Sequence, residues 1–290
     1  METHKRVLIS NRGEIATRIA KAAAALGMES VSVYAPVDAM SLHTRASTTS
    51  REIGGNGADD VAAYLDVDAV VAAAQAEGCD CVHPGYGFLS ENAEFAAKLA
   101  DANITFVGPP PEALSLFGDK VRARKLAESL DIPVVPGSAS ALASATDAGA
   151  LAAEIGYPVM LKASAGGGGR GMRTVTSDEE MAESFERCRG EAEAAFGDGT
   201  VFLEKLVVRP RHIEVQVLAD SAGNVVHLHE RDCSVQQRNQ KVVEIAPSLG
   251  LDAALRQKIL DDAIRLVKAA NYVNAGTVEF LVEPENGTYY

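Results

Sequence analysis

Over the first 110 residues, short apolar runs alternate with stretches in which apolar residues return every three or four positions. Val7 to Ser10 reads as a compact strand. In the N-R-G-E-I-A-T-R-I-A-K-A-A-A-A-L-G that follows, Ile15, Ile19, Ala22 and Ala23 recur at helical spacing, with Gly27 where a C′ glycine is expected. The pattern then predicts a strand over S-V-S-V-Y-A, a helix from Asp66 to Glu77 and a strand in C-D-C-V-H. A helix from Asn92 to Ala102 and a strand in I-T-F-V-G complete this part. Strict alternation of strand and helix implies parallel pairing through crossover helices, so an α/β fold with a doubly wound parallel sheet is expected.

Beyond the P-P-P at 109–111 the rhythm changes. A-L-S-L-F-G-D-K-V-R-A-R-K-L-A-E-S-L predicts a helical connection, D-I-P-V-V-P-G-S a strand ending in a turn, and A-G-A-L-A-A-E-I-G a short helix with a glycine stop. Y-P-V-M-L-K-A-S is a strand that runs into four consecutive glycines. A charged amphipathic helix is expected over 178–195 and a buried strand in T-V-F-L-E-K-L-V. H-I-E-V-Q-V-L-A-D, S-A-G-N and V-V-H-L-H-E read as a hairpin around a four-residue turn. Leu255, Ile259, Ala263 and Leu266 mark one face of a further helix. A-G-T-V-E-F-L-V begins a strand, and E-N-G-T-Y a turn into a returning one.

Composition narrows the function. The chain has 290 residues, 47% hydrophobic and 23% charged, as in a soluble globular protein with one large domain or two to three smaller ones. No apolar stretch reaches the roughly 18 residues of a membrane span. The N-terminus lacks the pattern of a signal peptide, so a cytoplasmic protein is expected. A formal charge of −13 argues against a nucleic-acid or anionic-membrane binder, although local lysines and arginines can still hold a small anion. Cys79, Cys81, Cys188 and Cys233 show neither C-x-x-C pairing nor zinc spacing and are read as reduced thiols.

The chemistry centres on K-A-S-A-G-G-G-G-R-G-M at 162–172. A linker would be flanked by polar sequence, whereas this run follows an apolar strand directly, with Lys162 at its end. Glycines without a Cβ let backbone amides approach a polyphosphate, and a lysine adds a charge-assisted bond. The run lacks the Walker A pattern. An unpaired ammonium at the end of a buried strand would be costly, which favours a ligand for Lys162.

Several further motifs accompany it: V-L-I-S-N-R-G-E-I-A-T-R-I-A near the start, H-P-G-Y-G-F-L-S-E-N at 83–92, F-G-D-K at 117–120, P-R-H-I-E-V-Q-V-L-A-D, E-R-D-C-S-V-Q and Q-K-V-V-E-I-A-P. Together, and in this order over essentially the whole chain, they resemble the biotin carboxylase family. The resemblance implies a Rossmann-like N-terminal domain over 1–115 and an α+β ATP-grasp domain over 116–290 with a lid at about 133–205. It also implies formation of carboxyphosphate from bicarbonate and MgATP, then transfer of the carboxyl group to N1 of biotin on a carrier domain, with a separate carboxyltransferase downstream. Manganese could replace magnesium, and the family commonly forms homodimers.

By the same resemblance, Gly166, Gly167, Gly168, Gly169 and Met172 belong to a phosphate lid, and Lys120 and Lys162 hold ATP phosphates. Glu204, Lys205 and the backbone out to Val207 read adenine. His212 and Gln236 contact the nucleotide, Glu279 supplies a carboxylate for magnesium, and Arg238 and Lys241 face bicarbonate and the transferring carboxyl group. Glu91 is the expected polar contributor of the 83–92 segment.

Gln237 and Asn239 stand where the familiar bacterial subunits have arginine and histidine, which touches details of nucleotide contact. The family's next strand, with a second magnesium ligand and the glutamate that activates bicarbonate, is not among the 290 residues. A shortened chain is therefore expected, with an open strand edge, able to hold nucleotide but not to complete carboxylation.

Three other readings compete with this one. A carbamoyl phosphate synthetase large chain shares the lid but is not expected to carry H-P-G-Y-G-F-L-S-E-N with Q-K-V-V-E. A dinucleotide-binding oxidoreductase would need G-x-G-x-x-G after the first strand, where N-R-G-E-I-A has one glycine. A nucleotide-binding module without catalysis is the third. His227 and His229 on one strand face are read as a surface pair, since no further ligand stands at a recognisable spacing.

Overall fold

In the N-terminal part, alternation within single strands decides which helices cover which face. The computed structural model describes residues 4–54, 61–164, 171–238 and 240–290. The chain divides into two compact units. One comprises Met1–Asp119 with the short stretches Ala219–Asn224 and Ala270–Ala275, and the other Lys120–Leu218, Val225–Ala269 and Gly276–Tyr290.

The first unit runs β1 (Arg6–Ile9), α1 (Gly13–Ala25), β2 (Glu29–Tyr34), α2 (Leu42–Ala46), β3 (Thr49–Glu52), α3 (Val67–Ala76), β4 (Cys81–His83), α4 (Ala93–Asp101), β5 (Thr105–Phe106) and α5 (Pro111–Gly118). Its five strands pair in parallel in the order β3-β2-β1-β4-β5, the doubly wound sheet expected from the alternation. Because successive strand residues point to opposite faces, Leu8 packs with Val31, Val33, Val70, Phe95 and Leu99, while Ile9 packs with Ala16, Ile19 and Ala20 of α1. Asp66 and Asn92 cap α3 and α4 by accepting from Ala69 and Phe95 N–H, which explains why both helices begin where their sequences suggest.

Two motifs of this unit dock onto each other. Buried Asn11 donates through Nδ2 to the carbonyls of Pro84, at 2.7 Å, and Tyr86, at 2.9 Å. Gly85 has φ +67°, and a Cβ there would meet Ile15 Cγ2 at 2.6 Å, so the 83–92 loop needs glycine at this point. Glu91 on the same loop is exposed. Nearby, Arg12 grips Asp38 through two 2.6 Å bonds, and with help from Tyr64 and Ser41 holds its carboxyl down at about 2.

The second unit holds α6 (Lys120–Ser129), α7 (Ala145–Ile155), β6 (Val159–Ala163), β7 (Met172–Val175), α8 (Met181–Phe196), β8 (Val201–Lys205), β9 (Arg211–Ala219), β10 (Val225–Gln237), β11 (Gln240–Ile245), α9 (Ala253–Ala269) and β12 (Asn274–Val282). The strands form a three-stranded sheet, β7-β6-β8, and a four-stranded sheet, β11-β10-β9-β12. Val159, Leu161, Val201 and Leu203 form a core with Ala148, Ala152, Phe185 and Cys188 from α7 and α8.

Three sequence expectations need correction. The helical connection is two helices, α5 and α6, broken at Asp119, whose ψ of 104° is extended. The segment 131–138 is not a strand: Pro133 and Pro136 have no N–H to offer a ladder, and the only bridge there joins Gly137 to Glu204. The buried face of α9 is Ile259, Leu260, Ala263 and Val267, with Leu266 only half-buried. The turn after β12 does return as read, with Leu281 and Tyr290 exchanging backbone bonds at 2.9 Å.

Among the described residues, no helix is long and apolar enough to cross a membrane. All four cysteines are buried and free. The rings of His227 and His229 meet edge to face, their centroids 5.1 Å apart.

Candidate active site

On β6 the pattern alternates buried and half-buried, and the half-buried positions Met160 and Lys162 point away from the helices. Register places Met172 and Phe202 opposite Lys162, and Glu204 opposite Met160. All five therefore share one face, with Lys162 and Glu204 diagonal neighbours. Their side chains form an ion pair, at 34% and 32% exposure. Contrary to the expectation from its burial, Lys162 needs no ligand to offset its charge, because Glu204 already compensates it.

Lys120, the first residue of α6, donates to the carbonyl of Ser164 at 2.9 Å. It thus stands at the end of the strand that leads to the glycine run. Gly166, Gly167, Gly168 and Gly169 lie outside the described residues, as does Asn239.

Lys205 is engaged elsewhere: its ammonium donates to the carbonyls of Gly156 and Tyr157, both at 2.9 Å. The N–H groups of Lys205 and Leu206 go to the carbonyls of Pro136 and Pro158. Val207 is buried.

The four-stranded sheet brings one charged residue from each strand together: Lys241 from β11, Arg231 from β10, Glu214 from β9 and Glu279 from β12. Lys241 pairs with both Glu214 and Glu279. Arg231 reaches Glu214 Oε1 at 2.6 Å and donates to Gln216 Oε1 at 3.0 Å. Its Nε is 3.3 Å from Glu244 Oε2 without hydrogen-bond geometry. The Cys233 thiol donates to Glu214 Oε2 at 3.6 Å.

Glu214 is only 8% exposed, against 62% for Glu279. Burial alone would raise Glu214, but Lys241 and then Arg231 outweigh it and hold the carboxyl below its ordinary value. Burial likewise opposes the charge on Lys241, and the two glutamates reverse this and raise its pKa. The Cys233 thiol is pushed up to about 11 by burial and then by Glu214 and Glu244, so it remains protonated and is a poor nucleophile.

His212 shares the β9 face of Glu214 and Gln216 by strand periodicity, with its backbone N–H on Ser234 Oγ at 3.0 Å. Gln236 pairs in register with Lys241 and donates to the Cys233 carbonyl at 3.0 Å. Arg238 sits exposed at the β10–β11 turn with φ +51°, and no carboxylate pairs with it among the described residues.

Two groups of expected residues are therefore assembled, Lys162 with Glu204 and Met172, and Lys241 with Glu279. Among the described residues, no hydrogen bond or ion pair joins the two groups. Sequence reasoning missed Glu214 and Arg231. The signal for Glu214 was there, as a carboxylate flanked by the apolar Ile213 and Val215 in the I-E-V-Q-V of β9. A cavity of about 440 Å³ opens beside α9 and the end of β12, lined among others by Arg211, Lys258, Glu283 and Tyr289, and none of the expected site residues lines it.

Residues 3–114 match the family profile "Biotin carboxylase, N-terminal domain", and residues 119–290 match "Carbamoyl-phosphate synthase L chain, ATP binding domain". The chain belongs to the biotin carboxylase family. Pyruvate carboxylase of Schizosaccharomyces pombe is 50% identical over 290 residues, all of this chain but 24% of the relative. Pyruvate carboxylase of Bacillus subtilis is 49% identical over 286 residues, 99% of this chain and 25% of the relative. The chain thus spans about a quarter of the length of these curated relatives.

Among solved structures, a biotin carboxylase complex with β-γ-ATP from Campylobacter jejuni superposes with a TM-score of 0.93 at 45% identity, covering 99% of this chain and 64% of that one. The biotin carboxylase domain dimer of Hydrogenobacter thermophilus 2-oxoglutarate carboxylase, with MgADP, ADP and bicarbonate, also scores 0.93. It is 43% identical and covers 100% of this chain and 63% of that one.

Proposed function

We propose that this chain is the nucleotide-binding portion of a biotin carboxylase, in which 1–115 form the N-terminal domain and 116–290 the ATP-grasp domain. The reaction is ATP-dependent carboxylation of biotin on a carrier domain, with bicarbonate as the carbon source and carboxyphosphate as the intermediate. The observation that carries this reading is the meeting of Lys241, Glu214 and Glu279 from separate strands, a site that already gathers two carboxylates around one cation. Likeness to a family member solved with MgADP and bicarbonate supports it. A carbamoyl phosphate synthetase reading explains residues 119–290 but not the biotin carboxylase profile over 3–114.

The donor set fits magnesium, a hard cation that takes carboxylate oxygens together with phosphates, and the Lys241 ammonium marks the place of positive charge between the carboxylates. Glu279, the more exposed of the two, would hold the metal, which when bound neutralises phosphate oxygens and polarises the transferring phosphoryl group. Lys120 and Lys162 bind phosphate oxygens beneath the glycine lid, Lys162 leaving Glu204 as that carboxylate turns to the adenine. With two N–H groups near Lys205 already in use, the base is read by Glu204 and the backbone at Val207. His212 and Gln236 orient the nucleotide from the β9 and β10 faces. A bicarbonate oxygen attacks the γ-phosphorus as ADP leaves, and Arg238 and Lys241 stabilise the negative charge that develops.

The carrier domain and the carboxyltransferase, on the same or another chain, complete the cycle, and a homodimer is the expected assembly. The pyruvate carboxylase relatives favour pyruvate as the final acceptor. A cytoplasmic location belongs to the same proposal, although two relatives, from Mus musculus and Rattus norvegicus, are named as mitochondrial.

Calorimetric titration of MgATP tests the reading. Lys162→Ala, shown by circular dichroism to be folded, is expected to weaken binding about tenfold or more, about 1.4 kcal/mol. Equal affinity in the two folded chains would remove Lys162 and the lid from nucleotide binding.

A further inference from the structure

The charge cluster on the four-stranded sheet poses a conflict. Lys241 takes Glu279 Oε1 and Glu214 Oε2, yet the proposed reaction needs Glu279 for a metal and the ammonium for an anion. An ammonium and a dication compete for the same carboxylate oxygens. The two glutamates differ in what would remain if the lysine left. Glu214 would keep Arg231 at 2.6 Å and the Cys233 thiol at 3.6 Å, whereas Glu279 has Lys241 as its sole ion-pair partner among the described residues. Glu279 is also 62% exposed, so a hydrated cation can reach it without opening the buried part of the cluster.

We propose that Lys241 is a built-in substitute for the metal: its ammonium occupies the cation position at Glu279 in the ligand-free chain, and a divalent ion arriving there displaces it toward the anionic substrate. The inference rests on the reading of Glu279 as the metal carboxylate. It adds an order of events, since the cation that faces bicarbonate is released only when metal is loaded. Arg231 is the positioning residue that makes the exchange inexpensive, because Glu214 stays compensated throughout.

The test uses Mn²⁺ alone, its free concentration followed by electron paramagnetic resonance, titrated into the 290-residue chain and its variants. Lys241→Met is expected to bind Mn²⁺ about tenfold more tightly than the unsubstituted chain, the scale of one close charge pair no longer competing. Lys241→Arg, which keeps the charge, should show no such gain, and adding Glu279→Gln to Lys241→Met should abolish it. Unchanged or weaker binding by a folded Lys241→Met chain overturns the exchange. If Glu279→Gln still weakens Mn²⁺ binding in that case, the metal assignment survives and only the exchange is lost. A gain that persists with Glu279→Gln overturns both.

A second measurement needs no variant. Acetylation of Lys241 by acetic anhydride, mapped by mass spectrometry, should quicken on adding Mg²⁺, because an ammonium released from the Glu214 and Glu279 carboxylates is open to the reagent. Exposed Lys258 on α9 serves as the control and should not change. Constant or slower modification of Lys241 overturns the proposal.

Discussion

The three-stranded and four-stranded sheets of the second unit each hold a lysine against glutamate, but they hold it differently. Lys162 and Glu204 are a single diagonal pair, each about one-third exposed, with water at hand to replace either partner. Lys241 belongs to a network whose central carboxylate, Glu214, is 8% exposed and shared with Arg231 and Cys233. An exposed pair contributes little stability and separates readily, whereas a buried carboxylate with several donors is costly to disturb. One sheet thus presents a contact that solvent or a competing ion can open. The other presents a frame whose outer member, Glu279, can change partner while the inner one stays fixed.

The largest expected effect is on that frame. Glu214→Ala leaves two cations facing each other without their shared anion, and urea denaturation should show a loss of about 3 kcal/mol. A loss below about 0.5 kcal/mol would place the network among contacts that add nothing measurable.

Acid titration gives an intermediate effect. The folded Glu214 carboxyl lies below its ordinary value of 4.5, so its contribution is complete above that value and is lost as pH falls through the lower, folded one. Stability measured across this acid range should fall less steeply in Glu214→Gln than in the unsubstituted chain. Equal slopes would mean that Glu214 gains nothing from Lys241 and Arg231 on folding.

The smallest effect belongs to the exposed pair. Glu204→Gln should change unfolding stability by less than about 1 kcal/mol. A larger loss would erase the contrast between the sheets, because it would make the Lys162 contact structural.

The parts legible in the sequence share a local cause. The helices from Val67 and Ala93 carry their own caps in Asp66 and Asn92, and the doubly wound sheet follows from apolar runs separated by helical periods. Strand β3 escaped notice because T-S-R-E is fully exposed at a sheet edge and carries no apolar alternation. In the hairpin partner β11, Val242, Val243 and Ile245 break the two-residue alternation of a half-buried strand, and all six of its residues are exposed. The segment 131–138 misled in the opposite sense: its apolar residues suggested a strand that its prolines cannot complete.

For the site, the sequence by itself determined the inventory: a glycine run behind a lysine-ended strand, and motifs specific enough to indicate the family. Tertiary structure alone decided the pairings. Glu214, Arg231, Lys241 and Glu279 stand far apart in the chain, and only the order β11-β10-β9-β12 makes them neighbours. Glu214 on β9 and Lys241 on β11 are further separated by β10, whose Arg231 completes the charge balance. Local pattern records which residues a strand turns to one face, because that depends on a two-residue period. Which charges then meet across that face depends on strand order, and no short stretch of sequence encodes it.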